Sequence, residues 1–375
     1  MERIASDGVL LTLIISSLLA LGVQLLYFTF LFTRLISYRD KHHETVSPDV
    51  SVIICARNEL ENLKRNLKSV LEQNYPVFQV VVVNDCSWDD SGDYLEEMQK
   101  QYSHLKVVTI KEQERYQHGK KFALSLGIKA ATNDILLFTD ADCSPVTEKW
   151  ISTMVSKYKE TTQIILGYGA YKRYPGLLNM LIRYDTFFTA LQYFSYALAG
   201  MPYMGVGRNL SYRKSLFFKN KGFASHLHVM SGDDDLFINE TATATNCRVE
   251  IRPEAFTLSE PELTWRGWFR QKKRHLTTGR NYRQGHKWLI SGYFVSQALF
   301  YLALIGLLIM NVGPQLVIVI YLIRLCTQMV VFGLVMKRLG SRDLVLTVPL
   351  FDLATMFIYP ILSMANIFRK ERNWK

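Results

Sequence analysis

The chain has 375 residues, 49% of them hydrophobic, and a formal net charge of +11. By length it holds roughly two domains of ~150 residues, but its hydrophobicity is gathered into a few uncharged runs rather than spread over one globular core. A basic balance would suit nucleic acid, yet the excess charge hugs the apolar runs, so no nucleic-acid partner is expected. Five cysteines with no CxxC pair and no histidine at zinc spacing exclude a zinc module and read as reduced thiols.

Val9 to Phe32 is 24 residues without a charge. That exceeds the apolar stretch of a signal peptide, and no small-x-small cleavage site follows, so an uncleaved membrane anchor is expected. Arg34, Arg39 and Lys41 come after it. A second run, Trp288 to Met310, has 23 residues without a charge. Lys272, Lys273, Arg274, Arg280, Arg283 and Lys287 precede it. Basic flanks mark the cytosolic side, which places the intervening polar block in the cytosol; the localisation expected is an integral protein of the plasma (inner) membrane. Pro314–Met336 and Leu344–Phe368 carry one ionisable residue each, Arg324 and Asp352, a pair able to meet between adjacent helices. The last run contains Pro349 and Pro360, so two short helices returning the basic tail to the cytosol are as compatible with it as a full crossing.

Within the polar block, strand leads to helix repeatedly. "DVSVIICARNE" gives a β-rich run over Val50–Ala56, and Leu60, Leu63, Leu67, Val70 and Leu71 then recur at helical spacing. "FQVVVVNDCSWDDSGDYLEEMQKQY" repeats the plan, with Ser87 or Asp89 as the helix cap. "LKVVTI" is a third strand, "GKKFALSLGIKAAT" a helix, and "DILLF" a fourth strand. Such alternation argues for a parallel, doubly wound α/β sheet. The first turn reads "CARNEL", with no glycine, which excludes a GxGxxG dinucleotide fold; a phosphate-binding P-loop is absent as well.

Acids collect at the strand ends: Glu59 beside Asn58, Asp85 after "VVVN", and Asp140 with Asp142 after "DILLFT". In D-x-D on an extended segment both carboxylates point the same way. They can share one hard cation, Mg²⁺ or Mn²⁺, which completes its shell with substrate phosphates. Downstream, "HVMSGDDDLFINE" sets Asp233, Asp234 and Asp235 in a row. Acids favour a helix amino terminus, and three adjacent ones repel, which raises a pKa and suits a general base. "WRGWFRQKKRHLTTGR" then places Gln271, Arg274 and His275 within one helical turn and a little more.

This order, Asp85, Asp140-Ala141-Asp142, "GDDD", "QKKRH", flanked by apolar spans, resembles the membrane-bound family 2 glycosyltransferases, relatives of cellulose and hyaluronan synthases and of ceramide glucosyltransferase. The likeness runs from about Asp49 to Thr277. It implies a GT-A fold, a Rossmann-like, mostly parallel sheet, between N-terminal and C-terminal transmembrane helices. The division expected is an anchor over 1–35, a cytosolic GT-A domain over 36–287 with interfacial helices near 175–200 and 263–287, two or three membrane segments over 288–368, and a basic tail over 369–375.

Carried over by position, the resemblance implies that Ala56, Asn58, Glu59, Asp85, Lys120, Asp140, Gln271 and Arg274 bind the donor, with Asp85 on a uracil. Asp142 and Asp140 would hold the metal. Gly207, Arg208, Asn209 and His275 would lie on the acceptor side. Asp234 is the favoured base and Asp233 the alternative, according to which form of the family's acid motif is aligned. The activity implied is an inverting transfer from a nucleotide sugar, a UDP-sugar by the uracil assignment, to a lipid-linked or glycan acceptor among membrane lipids. His275 stands where processive members have Trp, which favours single transfer over the alternative of a processive polysaccharide synthase. A catalytically inactive membrane scaffold is the other class of reading, disfavoured by the intact acids. Oligomeric state is not legible.

Overall fold

The computed structural model describes residues 2–39, 47–111, 119–229, 231–311 and 313–368. Lys41 and the basic tail over 369–375 lie outside the described residues. Two units are present: Met1–Arg39 with Arg283–Met364, and Asp40–Tyr282 with Ala365–Lys375. The chain begins in the first with α1 (Glu2–Leu26), which runs through a π-helical turn, Tyr27–Phe32, into α2 (Thr33–Ser37).

Continuous β-branched runs form the centre of the second unit. β1 (Val50–Ala56), α3 (Leu60–Leu71), β2 (Phe78–Asp85), α4 (Ser91–Gln101), β3 (Leu105–Ile110), α5 (Lys120–Ala130) and β4 (Ile135–Phe138) follow one another as the alternation predicts. β3, β2, β1 and β4 lie side by side and all parallel. β1, β2 and β4 are covered on both faces, which is why they read as apolar runs, whereas β3 at the sheet edge is only partly buried and carries Lys106 and Thr109. Leu63, Leu67 and Val70 of α3 pack with Val50, Val52 and Ile54 on one face. On the other face α5 comes close at Gly127, where a β-carbon would stand 2.8 Å from Val83 Cγ2 and 3.0 Å from Ile53 Cγ2.

The rest of the unit comprises β5 (Cys143–Pro145), α6 (Trp150–Val155), β6 (Ile164–Leu166), β7 (Gly169–Tyr171), α7 (Leu177–Leu198), β8 (Leu210–Arg213), α8 (Lys214–Lys219), α9 (Asp235–Thr241), β9 (Cys247–Val249), β10 (Thr257–Ser259) and α10 (Trp265–Leu276). β8 joins antiparallel to β4 and β6, and β9 closes the edge, giving the order β3-β2-β1-β4-β8-β6-β9. A second sheet, β5-β10-β7, stands after the D-x-D segment. The aromatic residues of α7 that suggested an interfacial helix, Tyr184, Phe187, Phe188, Tyr193, Phe194 and Tyr196, are all buried, so α7 is a core helix.

The first unit resumes with α11 (Gln284–Ile309), α12 (Pro314–Arg338) and α13 (Val348–Phe368). Among the described residues four helical segments are long and apolar enough to cross a membrane: Asp7–Ser37, Gln284–Ile309, Pro314–Arg338 and Arg342–Ala365. α13 continues through Pro360 as one helix, in place of the two short ones considered above. At 1.5 Å per residue its length is about 32 Å, enough for a bilayer core.

Each span contributes to one buried polar cluster. Arg324 Nη1 donates to Asp352 Oδ2 at 3.0 Å and Nη2 to Gln24 Oε1 at 3.0 Å. Gln328 Nε2 donates to Asp352 Oδ1 at 2.7 Å, and Tyr301 Oη to Asp352 Oδ2 at 3.0 Å. Polar side chains that would be costly in hydrocarbon thus satisfy one another inside the bundle.

Candidate active site

The site is built at the carboxyl ends of β1, β2 and β4, where an open α/β sheet presents its loops. Ala56 is buried at the end of β1, and Asn58 follows with φ +54°. That left-handed residue turns the chain so that its own N–H donates to Ser87 Oγ at 3.0 Å while its Oδ1 accepts from Trp88 N at 2.9 Å. The loops after β1 and β2 are therefore locked together. Asp89 Oδ2 adds to the lock by accepting from Leu60 N at 3.2 Å. Glu59 accepts from Asn62 at 2.5 Å, and Asp85 is fully buried at the end of β2.

One cleft is lined by Lys120, Thr139, Asp140, Gly207, Asp233 and Asp234, with Cys55 and Tyr212 beneath. Lys120, at the head of α5, bridges two of the predicted acids: its Nζ lies 2.9 Å from Asp140 Oδ1 and 3.2 Å from Asp233 Oδ2. Burial alone would lower this lysine, but Asp140, Asp233 and Asp234 outweigh it and hold the ammonium well above its usual range. The ammonium therefore stays charged and joins the D-x-D segment to the acid loop.

Asp234 caps α9 and is held at both oxygens. Gly207 N donates to Oδ2 at 2.7 Å and Asp235 N to Oδ1 at 2.8 Å. Burial, then the neighbouring charges of Asp233 and Asp235, push its carboxyl up to about 7; Lys120 and the Gly207 N–H oppose the rise. Asp235 turns away from the cleft. Its Oδ2 accepts from Thr278 Oγ1 and, at 2.7 Å, from Tyr282 Oη. Gly232, at φ +96°, makes the bend before the acids, and a β-carbon there would fall 2.5 Å from Leu236 Cδ1.

Asp140, Asp142 and Cys143 offer ligand atoms within 4.8 Å of one another. Two carboxylates suit a hard divalent cation. The Cys143 thiol contacts Ser259 Oγ at 2.9 Å, and burial, then Asp142 and Asp140, push it well up, so it remains a neutral thiol. The residues thus fit Mg²⁺ or Mn²⁺ held by the aspartates rather than a soft metal held by the thiol.

The remaining predicted residues separate by role. Arg208 stacks its guanidinium 4.2 Å from the centre of the Tyr171 ring, donates to Ser259 Oγ at 3.3 Å and feels the charges of Asp142 and Asp140. That places it beside the D-x-D segment. Asn209 is fully buried: Nδ2 donates to Tyr168 O at 2.9 Å and Ala255 O at 2.7 Å, and Oδ1 accepts from Trp150 Nε1 at 3.1 Å. Its amide is spent on the fold. On α10, Gln271 Nε2 reaches Tyr171 Oη at 3.4 Å, Arg274 is half-buried and His275 is exposed. Lys272, between them, pairs with the buried Asp185 of α7 and fixes the helix. Tyr171, Ser259, Thr278 and Tyr282 were not singled out from the sequence, where a lone tyrosine or hydroxyl on a short segment gives no signal.

Residues 51–217 match the family model described as Glycosyl transferase family 2. Over these residues the chain is similar to the family 2 glycosyltransferases. It is 33% identical over 142 residues to Glycosyltransferase AglE of Haloferax volcanii, covering 37% of this chain and 45% of that protein. To the Probable glycosyltransferase YdaM of Bacillus subtilis it is 27% identical over 287 residues, covering 70% of this chain and 65% of that protein. The chain thus spans less than two thirds of the length of either relative. The mannosyltransferase PcManGT of Pyrobaculum calidifontis, solved with GDP-Man and Mn²⁺, superposes with a TM-score of 0.59 at 17% identity, covering 93% of this chain and 99% of that one. The region matched by the family model has the GT-A fold.

Proposed function

We propose that this family 2 protein transfers one sugar, with inversion, from a nucleotide-diphosphate donor to the hydroxyl of a lipid-linked or glycan acceptor at the cytosolic face of the inner membrane. The observation that carries the reading is the convergence of Asp140, Lys120, Asp233 and Asp234 on one cleft at the strand ends. A carboxylate poised near neutrality is matched to removing a hydroxyl proton at physiological pH. Asp234 accepts that proton as the acceptor oxygen bonds the anomeric carbon and the bond to the diphosphate oxygen breaks, its electron pair leaving with the nucleoside diphosphate. Only one base and no enzymic nucleophile are needed, which gives inversion. Asp140 and Asp142 would hold the divalent ion, which when bound supplies countercharge to the diphosphate. Arg208, which feels the charges of Asp142 and Asp140, adds fixed positive charge at the same end, and Arg274 of α10 would add more on the family's pattern. The GDP-Man and Mn²⁺ bound in the PcManGT structure support a nucleotide-sugar donor and a divalent ion without choosing the base or the sugar. The basic flanks of the first two spans support the cytosolic placement.

The test is nucleoside-diphosphate release from a panel of UDP- and GDP-sugars by detergent-purified full-length protein with Mn²⁺ or Mg²⁺ and a lipid extract. Metal-dependent turnover of one donor, abolished in Asp142→Ala and Asp234→Asn, is expected. A folded wild type that turns over none of them would return the weight to a membrane scaffold.

A further inference from the structure

Asp234 is held from two directions, and both trace back to one tyrosine. From its own side, the Asp235 N–H donates to Asp234 Oδ1 at 2.8 Å. Asp235 is itself fixed, because its buried carboxylate accepts from Leu236 N at 2.8 Å, from Thr278 Oγ1, and from Tyr282 Oη at 2.7 Å. From the opposite side, the Gly207 N–H donates to Asp234 Oδ2 at 2.7 Å. The segment between α7 and β8 that carries Gly207 also holds Tyr203, which is 3% exposed and whose ring meets the ring of Tyr282 edge-on at 5.8 Å. The Tyr203 carbonyl accepts from Asn239 Nδ2 of α9 at 2.8 Å, which closes the circuit. Tyr282 therefore touches both arms without reaching the cleft acids itself. It also ends the Asp40–Tyr282 stretch of its unit: the chain continues at Arg283 into α11, a helix long and apolar enough to cross a membrane.

We propose that Tyr282, with Thr278, is a positioning element for the base Asp234, fixing its two hydrogen-bond donors from the segment by which the chain enters its first C-terminal membrane helix. The inference rests on the proposed role of Asp234 and adds a route by which the membrane-entry segment governs that residue's alignment. A hydroxyl on a buried carboxylate stabilises any fold, so the tests must read alignment as well as stability. A base displaced by a fraction of an ångström loses rate rather than donor affinity.

Tyr282→Phe keeps the ring on Tyr203 and removes only the hydroxyl; Thr278→Val removes the second donor, and Thr278→Ser restores it. In Tyr282→Phe and Thr278→Val, kcat is expected to fall roughly tenfold with the KM for the donor within about twofold, and Thr278→Ser to stay near the wild type. The charged and titratable groups facing Asp234 are Asp233 and Asp235 from its own segment, Lys120 and Lys121 from α5, and Tyr212 from β8. With one donor fewer, Asp235 protonates more readily, its repulsion of Asp234 weakens, and the acidic limb of the kcat profile moves to lower pH. A proportional loss of all parameters that follows the folded fraction, with the limb unmoved, would overturn the proposal. The link is also read without any substrate, by amide hydrogen exchange of the full-length protein. Exchange over 205–209 and 233–238 is expected at least about fivefold faster in Tyr282→Phe than in the wild type, with β1 and β2 unchanged. Unchanged exchange in both segments refutes the link whatever turnover shows, whereas altered exchange in a protein that turns over no donor would sink the transferase reading and leave the link standing.

Discussion

Three consecutive aspartates have three different fates because their surroundings differ within a few ångströms. Asp233 pairs with Lys120, Asp235 is spent on Thr278 and Tyr282, and Asp234 remains in the cleft with two backbone donors and a carboxyl raised to about 7. A base must be deprotonated to work, so a raised pKa removes activity at low pH: kcat is expected to climb through about pH 7 and level off above it. Asp234→Asn should lose this limb together with roughly 10²–10⁴ in kcat, while Mn²⁺-dependent nucleotide binding by calorimetry stays near the wild type. Retention of more than a tenth of wild-type kcat would transfer the role to Asp233. Lys120 lowers the Asp234 pKa, so Lys120→Met has a definite sign: the acidic limb should move to higher pH. A limb that stays in place or moves down would show that the ammonium does not act on Asp234.

At the scale of elements, "GVGRN" performs three tasks in three adjacent residues. Gly207 gives a backbone donor to Asp234, Arg208 stacks on Tyr171 of β7, and Asn209 ties the start of β8 to Trp150 of α6 and to the carbonyls of Tyr168 and Ala255. Asn209→Ala would leave the indole N–H and two carbonyls buried without that partner, a cost of about 2–4 kcal/mol. Thermal unfolding of the full-length protein should show a drop of several degrees, and an unchanged midpoint would mean that water replaces the amide at no cost. The strands, their alternation with helices and the D-x-D pair were legible in the sequence, because an apolar run ending in acids is a local pattern fixed by burial on both faces of a parallel sheet. α7 was not, since an aromatic-rich helix has the same sequence whether it lies in a core or on a membrane. Asn209 was read as pocket lining for a similar reason: composition cannot show whether a polar side chain faces a cleft or crosses the fold. The bonds from Thr278 and Tyr282 to Asp235 span 43 and 47 residues, and no periodicity or motif records such a pairing.

For the molecule as a whole, four apolar spans among the described residues flank the α/β unit, one before it in the chain and three after it. Apolar surface alone discriminates poorly between correct and incorrect helix pairings in lipid, where the tails are as apolar as leucine. The cluster of Gln24, Tyr301, Arg324, Gln328 and Asp352 supplies that discrimination, since it draws one or more side chains from α1, α11, α12 and α13 and is complete only when all four meet. Arg324 is 1% exposed and Asp352 2%, so either charge left alone would be buried without its counter-charge. Removing one partner of such a pair costs about 3–5 kcal/mol, while replacing both by apolar side chains of similar volume is often close to neutral. Asp352→Leu and Arg324→Met should therefore each lower the thermal midpoint of the detergent-solubilised protein steeply, and the double variant should be more stable than either single one. Additive losses in the double variant would mean that the ion pair is not the coupled unit, and that the glutamines and Tyr301 hold the spans together by themselves.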